Sequence, residues 1–327
     1  MKATAVAHPN IALIKYWGRL DDDLNLPLTN SLSMTLDALS TTTTVEWDPR
    51  LKDHEVTING EPQQGKPRFR VAKHLERLKE RLHHEGYARV ASVNNFPMGS
   101  GIASSASAFA ALTGAAFAAL GIDADAEELT TFARLGSGSA ARSIHGGFVE
   151  WVAGARHEDS YAYQLAPESH WDLKDVVVVV SEEEKKVGST EGHEIARTSP
   201  FLDARLAHLH TSLALARASV LERDLKALGE VAELDALSMH AVMMTSSPSL
   251  LYWSPETVRL LQAVRRFRDE ELEAYFTLDA GPNVHLLTTA ANVDDLVGRL
   301  REEGIAKERI LVNGPGPGLT LEKKHLF

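Results

Sequence analysis

A turn rich in glycine and serine, Pro97 to Ala108, is the first stretch of the chain whose residue types suggest chemistry. Gly99 and Gly101 would let the backbone bend tightly and come close to a ligand. Ser104 and Ser105 fall where an apolar run begins, and the free N–H groups and positive dipole end of a helix start favour an anion. Phosphate is the commonest anion at such a turn, although the same residues also suit a plain tight turn with a helix cap. The turn is neither a Walker loop nor a dinucleotide fingerprint, because Gly-Lys-Ser/Thr and a third glycine are both missing.

Three charged residues stand beside other turns. Lys15 is flanked by apolar residues and two aromatic ones, so it is either a cation held to meet an anion or a side chain that reaches to solvent from a strand end. Arg142 lies inside a second glycine- and serine-rich turn, 136–147. Asp279 precedes Gly-Pro-Asn and is either a catalytic carboxylate or an ordinary turn residue.

The composition excludes several classes of protein. A chain of 327 residues suggests two domains, and 44% hydrophobic with 24% charged residues is typical of a globular protein. The absence of cysteine excludes disulfides, thiolate metal sites and thiol catalysis. The net charge of −11 argues against a general nucleic-acid binder. No run is apolar enough to span a bilayer, and the start, Met1 to Thr4, lacks the apolar core of a signal peptide; we therefore expect a cytoplasmic protein without membrane or nucleic-acid partners.

Hydrophobic periodicity places the turns between regular elements. In the first half it predicts a strand over 88–93 before the first turn and a buried helix over 109–120 after it. Further expectations are a strand pair within 33–47, a hairpin at Asn59-Gly60, helices over 68–85 and 125–135, a strand over 148–152 and a loop over 24–32.

The second half begins after a polar, irregular stretch, 154–171, where we expect the domain boundary. Five consecutive valines, 176–180, predict a strand buried on both faces. Helices are expected over 204–221, 225–244, 255–268 and 293–303, and strands over 273–278, 284–288 and 310–312. The order indicates an open α+β sandwich.

Four motifs together resemble a known family. The 97–106 turn resembles the ATP-phosphate loop of the GHMP kinase superfamily. The stretches 11–18, 137–142 with Gly146-Gly147-Phe148, and 279–283 resemble the diphosphomevalonate decarboxylase family, in that family's order.

The resemblance implies an α/β (α+β) fold of two domains, the GHMP-kinase fold. Residues 1–170 would form a ribosomal-protein-like N-terminal domain that binds ATP, and residues 171–327 a ferredoxin-like C-terminal domain, with the active site in the cleft between them. The family uses ATP and Mg²⁺ to phosphorylate the tertiary hydroxyl of a 5-phosphorylated mevalonate, and loss of that phosphate and of CO₂ leaves an isopentenyl product. Relatives are often homodimers, so a homodimer is expected.

The same resemblance implies roles for individual residues. Asp279 would accept or orient the proton of the tertiary alcohol, Arg142 would clamp the substrate carboxylate with its planar fork, Lys15 would supply a positive charge beside Asp279, and Asn10 would help to hold the substrate. The residues implied for the 5-phosphoryl end are Tyr16, Arg19, Arg68, Ser137, Gly138 and Ser139. Those implied for ATP are Asn94, Asn95, Gly99, Ser100, Gly101, Ala103, Ser104 and Ser105, with Ser105 near Mg²⁺; no structural metal is expected, because no histidine pair has a suitable spacing.

The sequence departs from the family's usual pattern near the phosphoryl end. Arg19 stands where lysine is usual, Ala141 replaces cysteine, and His145 stands where an aromatic residue is common. The segment 188–200 is one residue shorter and carries Glu191, His193 and Glu194. Its Ser-Thr-Glu-Gly-His resembles a branch of the family that decarboxylates mevalonate 5-phosphate. Arg19 would reach a nearer phosphate, and two glutamates facing the cleft would repel a second one. The expected substrate is therefore mevalonate 5-phosphate, giving isopentenyl phosphate, with the 5-diphosphate as the alternative.

Two other classes of function are open at this stage. A small-molecule kinase of the same superfamily would stop at the phosphorylated product, but such kinases usually have an acidic residue where this chain has Arg142. A nucleotide-binding regulator without catalysis would be expected to lose Asp279 or the glycine turn, and both are present.

Overall fold

The computed structural model describes residues 1–96, 104–181 and 187–327. The strands in this part of the chain are β1 (Lys2–Ala7), β2 (Asn10–Ile14), β3 (Arg19–Asp21), β4 (Leu26–Pro27), β5 (Ser31–Thr35), β6 (Thr41–Asp48), β7 (Glu55–Ile58), β8 (Glu61–Pro62), β9 (Tyr87–Asn94), β10 (Phe148–Trp151), β11 (Ala162–Ala166), β12 (Leu173–Val178), β13 (Tyr275–Thr277), β14 (Val284–Thr289), β15 (Ile310–Asn313) and β16 (Thr320–Glu322). The α-helices are α1 (Gly65–Leu82), α2 (Ser104–Leu120), α3 (Ala126–Gly136), α4 (Ser189–Ile195), α5 (Leu202–Glu222), α6 (Leu225–Thr245), α7 (Pro255–Asp269) and α8 (Val293–Glu302). Short 3₁₀ turns cover Gly138–Ser143, Ala196–Thr198, Ala290–Asn292 and Lys307–Arg309.

The first half is built on a six-stranded sheet with the order β16-β1-β6-β9-β7-β8. Its described neighbours are antiparallel except for β7 and β9, which run parallel. Helix α2 lies on this sheet, and its alanines, including Ala110 and Ala115, are fully buried. Small side chains let the helix approach the sheet closely, while Phe117 and Leu75 of α1 fill the remaining core.

The second half is built on the sheet β13-β14-β12-β15, which is covered on both faces. Val176 and Val178 pack in one core with residues of α7 and α8, such as Leu260 and Leu296. Val177 packs in another core with residues of α5 and α6. The valine run is therefore buried on both faces, as its sequence predicts.

The sheet β11-β10-β5-β2 connects the two halves. Its residues Ile11, Leu32 and Phe148 share a core with Leu213 of α5 and Leu228 of α6. The end of β2 therefore lies directly against the helices of the second half, and this contact carries the residues that follow β2 into the cleft.

The last residues of the chain return to the first half. Gly316 donates its N–H to Thr35 O at 2.7 Å and accepts one from Gly147 N at 2.9 Å. The following strand β16 pairs with β1 through Thr4 and Glu322. The range 171–327 thus also contributes an edge strand to the first sheet.

The mixed α/β, two-domain fold class expected from the sequence is confirmed. Most of the helices and strands that periodicity predicts are present. The strand pair expected within 33–47 is wrong as a pair, because β5 joins the sheet of β2 and β10 whereas β6 pairs with β1 and β9 in the other sheet. Two predicted loops also contain strands. Strand β11 lies inside the stretch 154–171, which was expected to be irregular, because its pairing with β10 outweighs its polar composition. The loop expected over 24–32 contains β4 and the start of β5. In the part of the chain that the structure describes, no helix is long and apolar enough to cross a membrane.

Candidate active site

A cleft of about 1110 Å³ lies between the two halves of the molecule. The first half contributes residues that follow β2, the 3₁₀ turn Gly138–Ser143 and one wall from α1 and α2. The second half contributes α4, Met239 of α6 and the turn that begins at Asp279. The predicted site residues that line it are Asn10, Lys15, Tyr16, Arg19, Asn94, Ser104, Ser105, Ser137, Gly138, Ser139, Arg142 and Asp279.

Lys15 and Asp279 form an ion pair at the junction of the two halves. Nζ of Lys15 is 2.8 Å from Oδ1 of Asp279, and the lysine side chain is only 1% exposed whereas the aspartate side chain is 25% exposed. The carboxylate therefore reaches the cleft, while the ammonium behind it stabilises its negative charge.

The backbone of Lys15 is fixed by a second, fully buried ion pair. Lys15 N donates to Oδ2 of Asp235 at 2.6 Å, and Asp235 pairs with Arg205 at 2.9 Å. Arg205 in turn donates to Lys15 O at 3.3 Å. The pair lies on α5 and α6, so it locks the end of β2 onto the second half.

The backbone of Asp279 is held by His240 of α6. Nε2 of His240 donates to Asp279 O at 3.1 Å. Burial lowers the pKa of His240 to about 3, so the ring is neutral at physiological pH and acts as a hydrogen-bond donor rather than as a cation.

Arg142 is oriented by two buried polar groups of the first half. Its Nε donates to Oδ1 of Asn10 at 3.2 Å, and its Nη1 donates to Oγ of Ser31 at 2.7 Å. Burial lowers the pKa of Arg142 to about 10, and nearby Asp279 acts in the opposite direction, so the guanidinium stays charged at neutral pH. Nη2 makes no hydrogen bond to the described residues, so this edge of the guanidinium is available to a ligand.

Asn10 holds this part of the site together. Its Nδ2 donates to Ser143 Oγ at 2.7 Å and to Ser139 O at 3.1 Å, while its Oδ1 accepts from Arg142. In the structure Asn10 therefore positions Arg142 and the 3₁₀ turn, in addition to lining the cleft.

A second set of polar groups surrounds Tyr16 and Arg19. Nε of Arg19 donates to the Tyr16 hydroxyl at 3.0 Å, and the arginine is 6% exposed. Gly138 is required beside this hydroxyl, because a Cβ there would lie 2.8 Å from Tyr16 Oη. Ser137 Oγ is 3.4 Å from Ser139 Oγ. The group presents a guanidinium and several hydroxyls on one wall, which suits a phosphoryl group.

The start of α2 connects this wall to the predicted ATP loop. Ser105 Oγ lies 3.1 Å from Ser137 Oγ, so the two glycine- and serine-rich turns meet. Ser104 and Ser105 line the cleft at the helix start, where free N–H groups and the helix dipole favour an anion. The predicted residues Gly99, Ser100, Gly101 and Ala103 lie outside the described residues.

Two of the predicted residues lie elsewhere in the structure. Arg68 is not among the residues that line the cleft; it pairs with Asp53 and donates to His54 O at 3.1 Å. Asn95 is exposed and holds a neighbouring turn, through Ser40 N at 2.8 Å and Ala38 O at 3.0 Å.

Sequence reasoning missed a group of cations on α1. Lys66, Arg70, Lys73 and Arg77 line the cleft. Burial and the nearby charge of Arg19 lower the pKa of Arg70, so these two guanidiniums lie close enough to repel each other. Such a wall favours an anionic ligand. The amphipathic pattern of the helix gave no sign of which face it turns toward the cleft.

Asp235, Arg205 and His240 were missed as well. All three lie in the second half, within the helices α5 and α6, whose sequences show only a helical pattern. Their importance comes from contacts with residues more than 30 positions away, such as His240 with Asp279 and Asp235 with Lys15. No local motif signals such contacts.

Comparison with known proteins gives consistent matches along the chain. Residues 7–162 match the diphosphomevalonate decarboxylase-like N-terminal domain, and residues 175–310 match the mevalonate 5-diphosphate decarboxylase C-terminal domain. Diphosphomevalonate decarboxylase of Bos taurus is 37% identical over 91% of this chain and 79% of its own length. Phosphomevalonate decarboxylase of Haloferax volcanii is 34% identical over 100% of both chains.

Solved structures give the same result. A complex of MDDEF with MVAPP, AMPPCP and magnesium superposes with a TM-score of 0.95 at 37% identity, covering 99% of each chain. A mevalonate diphosphate decarboxylase from Enterococcus faecalis, in a structure concerned with ATP binding, has a TM-score of 0.93 at 36% identity, also over 99% of each chain.

Proposed function

Since the chain belongs to the diphosphomevalonate decarboxylase family and is an ATP-dependent decarboxylase, we propose that it uses ATP and Mg²⁺ to decarboxylate a mevalonate phosphorylated at its 5-position. One observation carries the proposal for this chain's own residues. Asp279, Lys15 and Arg142, which come from three separate motifs, converge in a single cleft.

The proposed reaction has two steps. First, the tertiary hydroxyl oxygen attacks the γ-phosphorus of ATP; an O–P bond forms, the bond to ADP breaks, and Asp279 accepts or orients the hydroxyl proton. Next, the bond to the carboxylate carbon breaks, its electron pair forms the new C=C bond, and the phosphate leaves from the neighbouring carbon. The products are CO₂, phosphate, ADP and an isopentenyl product.

Lys15 and Arg142 support these two steps differently. Lys15 stabilises the carboxylate form of Asp279, from 2.8 Å. Arg142, with Nε and Nη1 already fixed by Asn10 and Ser31, turns its remaining N–H groups to the substrate carboxylate. The carboxylate is then held in place until its carbon leaves as CO₂.

The polyphosphate of ATP would lie at the start of α2, against Ser104 and Ser105, with Asn94 nearby in the same cleft. Mg²⁺ usually takes one or two protein ligands and relies on substrate phosphates for the rest. The hydroxyl of Ser105 is the proposed protein ligand, and the described residues bring together no group of three or more acidic or histidine side chains able to hold a metal. When bound, Mg²⁺ would neutralise the charge of the transferring phosphate.

For the substrate's 5-phosphoryl end we propose Tyr16, Arg19, Ser137, Gly138 and Ser139. We propose that Arg70, and not the predicted Arg68, binds this end of the substrate. Arg70 lies two residues further along α1 and lines the cleft. Asn95 remains a prediction for ATP, although both ends of its amide are used by a neighbouring turn.

The proposed substrate is mevalonate 5-phosphate, giving isopentenyl phosphate. Two features support it: Arg19 is buried and held by Tyr16, and Glu191 and Glu194 both line the cleft. A second phosphate would share the cleft with these two carboxylates, and poorly paired charge is costly to bury.

The alternative substrate is mevalonate 5-diphosphate. The cations of α1, Lys66, Arg70, Lys73 and Arg77, favour it because they supply more positive charge than a monophosphate needs. Several relatives also carry the diphosphomevalonate name.

Turnover of the two substrates under identical conditions decides between them. The proposal expects a higher kcat/KM for mevalonate 5-phosphate, and a clear preference for the diphosphate overturns the choice. Arg19→Lys should shift the ratio toward the diphosphate, because lysine lacks the reach and the fork of arginine. Arg223→Lys, at the exposed end of α5, is the matched control and should leave the ratio unchanged.

We also propose the domain limits 1–170 and 171–327, a cytoplasmic location and a homodimer. Sedimentation of the purified chain measures the oligomeric state, and a monomer at micromolar concentration would contradict the homodimer.

A further inference from the structure

His193 of α4 is packed between the two aromatic residues that follow Lys15. Its ring centroid lies 4.1 Å from that of Tyr16 and 4.5 Å from that of Trp17. The side chain is 6% exposed and lines the cleft. His193 is therefore held rigidly beside the wall formed by Tyr16 and Arg19.

One hydrogen bond fixes which ring nitrogen carries the proton. Gly18 N donates to Nδ1 of His193 at 3.0 Å. Gly18 has φ +91, a left-handed conformation that suits glycine, and this conformation belongs to the turn that presents its N–H to the ring. A nitrogen that accepts a hydrogen bond cannot also carry a proton, so the hydrogen of the neutral ring is on Nε2.

The surroundings keep the ring neutral. Burial lowers the pKa of His193 well below its ordinary value, and the positive charges of Arg19 and Arg142 act in the same direction. The ring thus enters the cleft as an uncharged N–H donor over the whole physiological pH range.

Among the described residues, the donor at Nε2 has no acceptor. Nε2 makes no hydrogen bond to the residues that the structure describes, and it is not one of the polar atoms sealed from solvent. A donor that faces a cleft beside Arg19 is suited to an anionic oxygen.

We propose that His193 is a substrate-binding residue whose Nε2–H donates a hydrogen bond to an oxygen of the substrate's 5-phosphoryl group. The inference rests on the proposed function, since it names a further contact for the same substrate. The competing explanation is that His193 only packs α4 against Tyr16 and Trp17 and holds Gly18.

Two substitutions separate these explanations. The amide oxygen of His193→Asn reaches as far as Nδ1, so it keeps the bond from Gly18 but loses the donor in the cleft. The amide of His193→Gln reaches as far as Nε2, so it restores a donor there but loses the acceptor for Gly18. If His193 has a purely structural role, His193→Asn should impair the enzyme less than His193→Gln. If His193 binds the substrate, His193→Gln should weaken substrate binding less than His193→Asn.

The measurement is steady-state kinetics with mevalonate 5-phosphate and with mevalonate 5-diphosphate, together with calorimetric binding of each substrate without ATP. For His193→Asn we expect the KM and Kd of the preferred substrate to rise on the order of tenfold or more, as for loss of a hydrogen bond to a charged group. The KM for ATP should stay within a few-fold, and His193→Gln should recover most of the loss. Thermal unfolding of both variants controls for a change in stability.

Four outcomes overturn the inference. They are unchanged substrate binding in His193→Asn, a Gln variant weaker than the Asn variant, an equal rise in the KM for ATP, and a nitrogen NMR spectrum with the proton on Nδ1. The wild-type enzyme tests the proposed function separately. If it turns over neither phosphorylated mevalonate, the function fails; if it turns one over and His193→Asn binds it normally, only the inference fails.

Discussion

Nζ of Lys15, at the end of β2, lies 2.8 Å from Oδ1 of Asp279, which follows β13 in the other half of the molecule. The partners are 264 residues apart in the chain. The buried pair of Asp235 and Arg205 holds the lysine backbone, and His240 holds the aspartate backbone. The relative position of the two halves therefore decides whether the carboxylate is correctly placed.

Replacing the carboxylate tests its role in proton transfer. Asp279→Asn keeps the shape of the side chain but removes its charge and most of its basicity, so we expect turnover to fall about 10²–10⁴-fold while ATP still binds. Fluorescent-nucleotide binding and product release measure the two quantities. Asp172→Asn, at an exposed position paired with Lys174, is the control and should keep full activity. Near-normal turnover of Asp279→Asn would show that Asp279 does not accept or orient the hydroxyl proton.

Arg142→Lys tests the geometry of the guanidinium. Lysine keeps the charge but loses the fork and its bonds to Asn10 and Ser31. We expect the rate of CO₂ release to fall on the order of tenfold or more, as for hydrogen bonds to a charged group. Arg156→Lys, which is mostly exposed, provides the comparison. If both variants stay within a few-fold of wild type, Arg142 does not hold the carboxylate.

Gly138→Ala tests the wall beside Tyr16. The new Cβ would lie 2.6 Å from Tyr16 Cε1, so the ring must shift and draw Arg19 with it. We expect the KM for the phosphorylated substrate to rise by more than the KM for ATP. Gly298→Ala on α8 is a matched control, because nothing lies within 4 Å of a Cβ there. Equal effects of the two substitutions would contradict this arrangement.

The pH dependence of stability follows from buried neutral histidines. Burial lowers the pKa of His74 and of His240 from 6.5 to about 3. Above pH 6.5 neither state is protonated; below it only the unfolded state takes up the proton, so the free energy of unfolding decreases as the pH falls from 6.5 toward 3. Each histidine contributes a slope of about 1.4 kcal/mol per pH unit within that window.

Urea unfolding of His74→Gln at pH 6.5 and at pH 5 measures this contribution. The variant lacks one titrating group, so it should lose about 1.5 kcal/mol less than wild type between the two pH values. Parallel losses in both proteins would show that His74 titrates normally in the folded state.

Local sequence patterns were sufficient for most of the secondary structure. The valine run of β12 and the alanine-rich sequence of α2 are apolar enough for their burial to be predicted from composition alone. Lys15, Arg142 and Asp279 each belong to a short motif, and it is the joint resemblance of these motifs to one family, not any single pattern, that predicts a common site for them.

Contacts between distant elements could not be predicted in the same way. Arg68 and Arg70 lie on one helix, and only the packing of α1 decides that Arg70 lines the cleft while Arg68 turns to Asp53. Asp235 and His240 lie within a helical pattern that gives no sign of their contacts with Lys15 and Asp279. Strand β11 forms because β10 offers a pairing edge, which its own sequence does not reveal.

The stoichiometry of products shows whether the protein couples ATP cleavage to loss of CO₂. The wild-type enzyme is mixed with ATP, Mg²⁺ and each of the two phosphorylated mevalonates in turn, and ADP, phosphate and CO₂ are measured in the same sample. We expect one of these substrates to yield the three products in equal amounts. Formation of ADP without CO₂ from both substrates would identify a kinase and contradict the proposed decarboxylation.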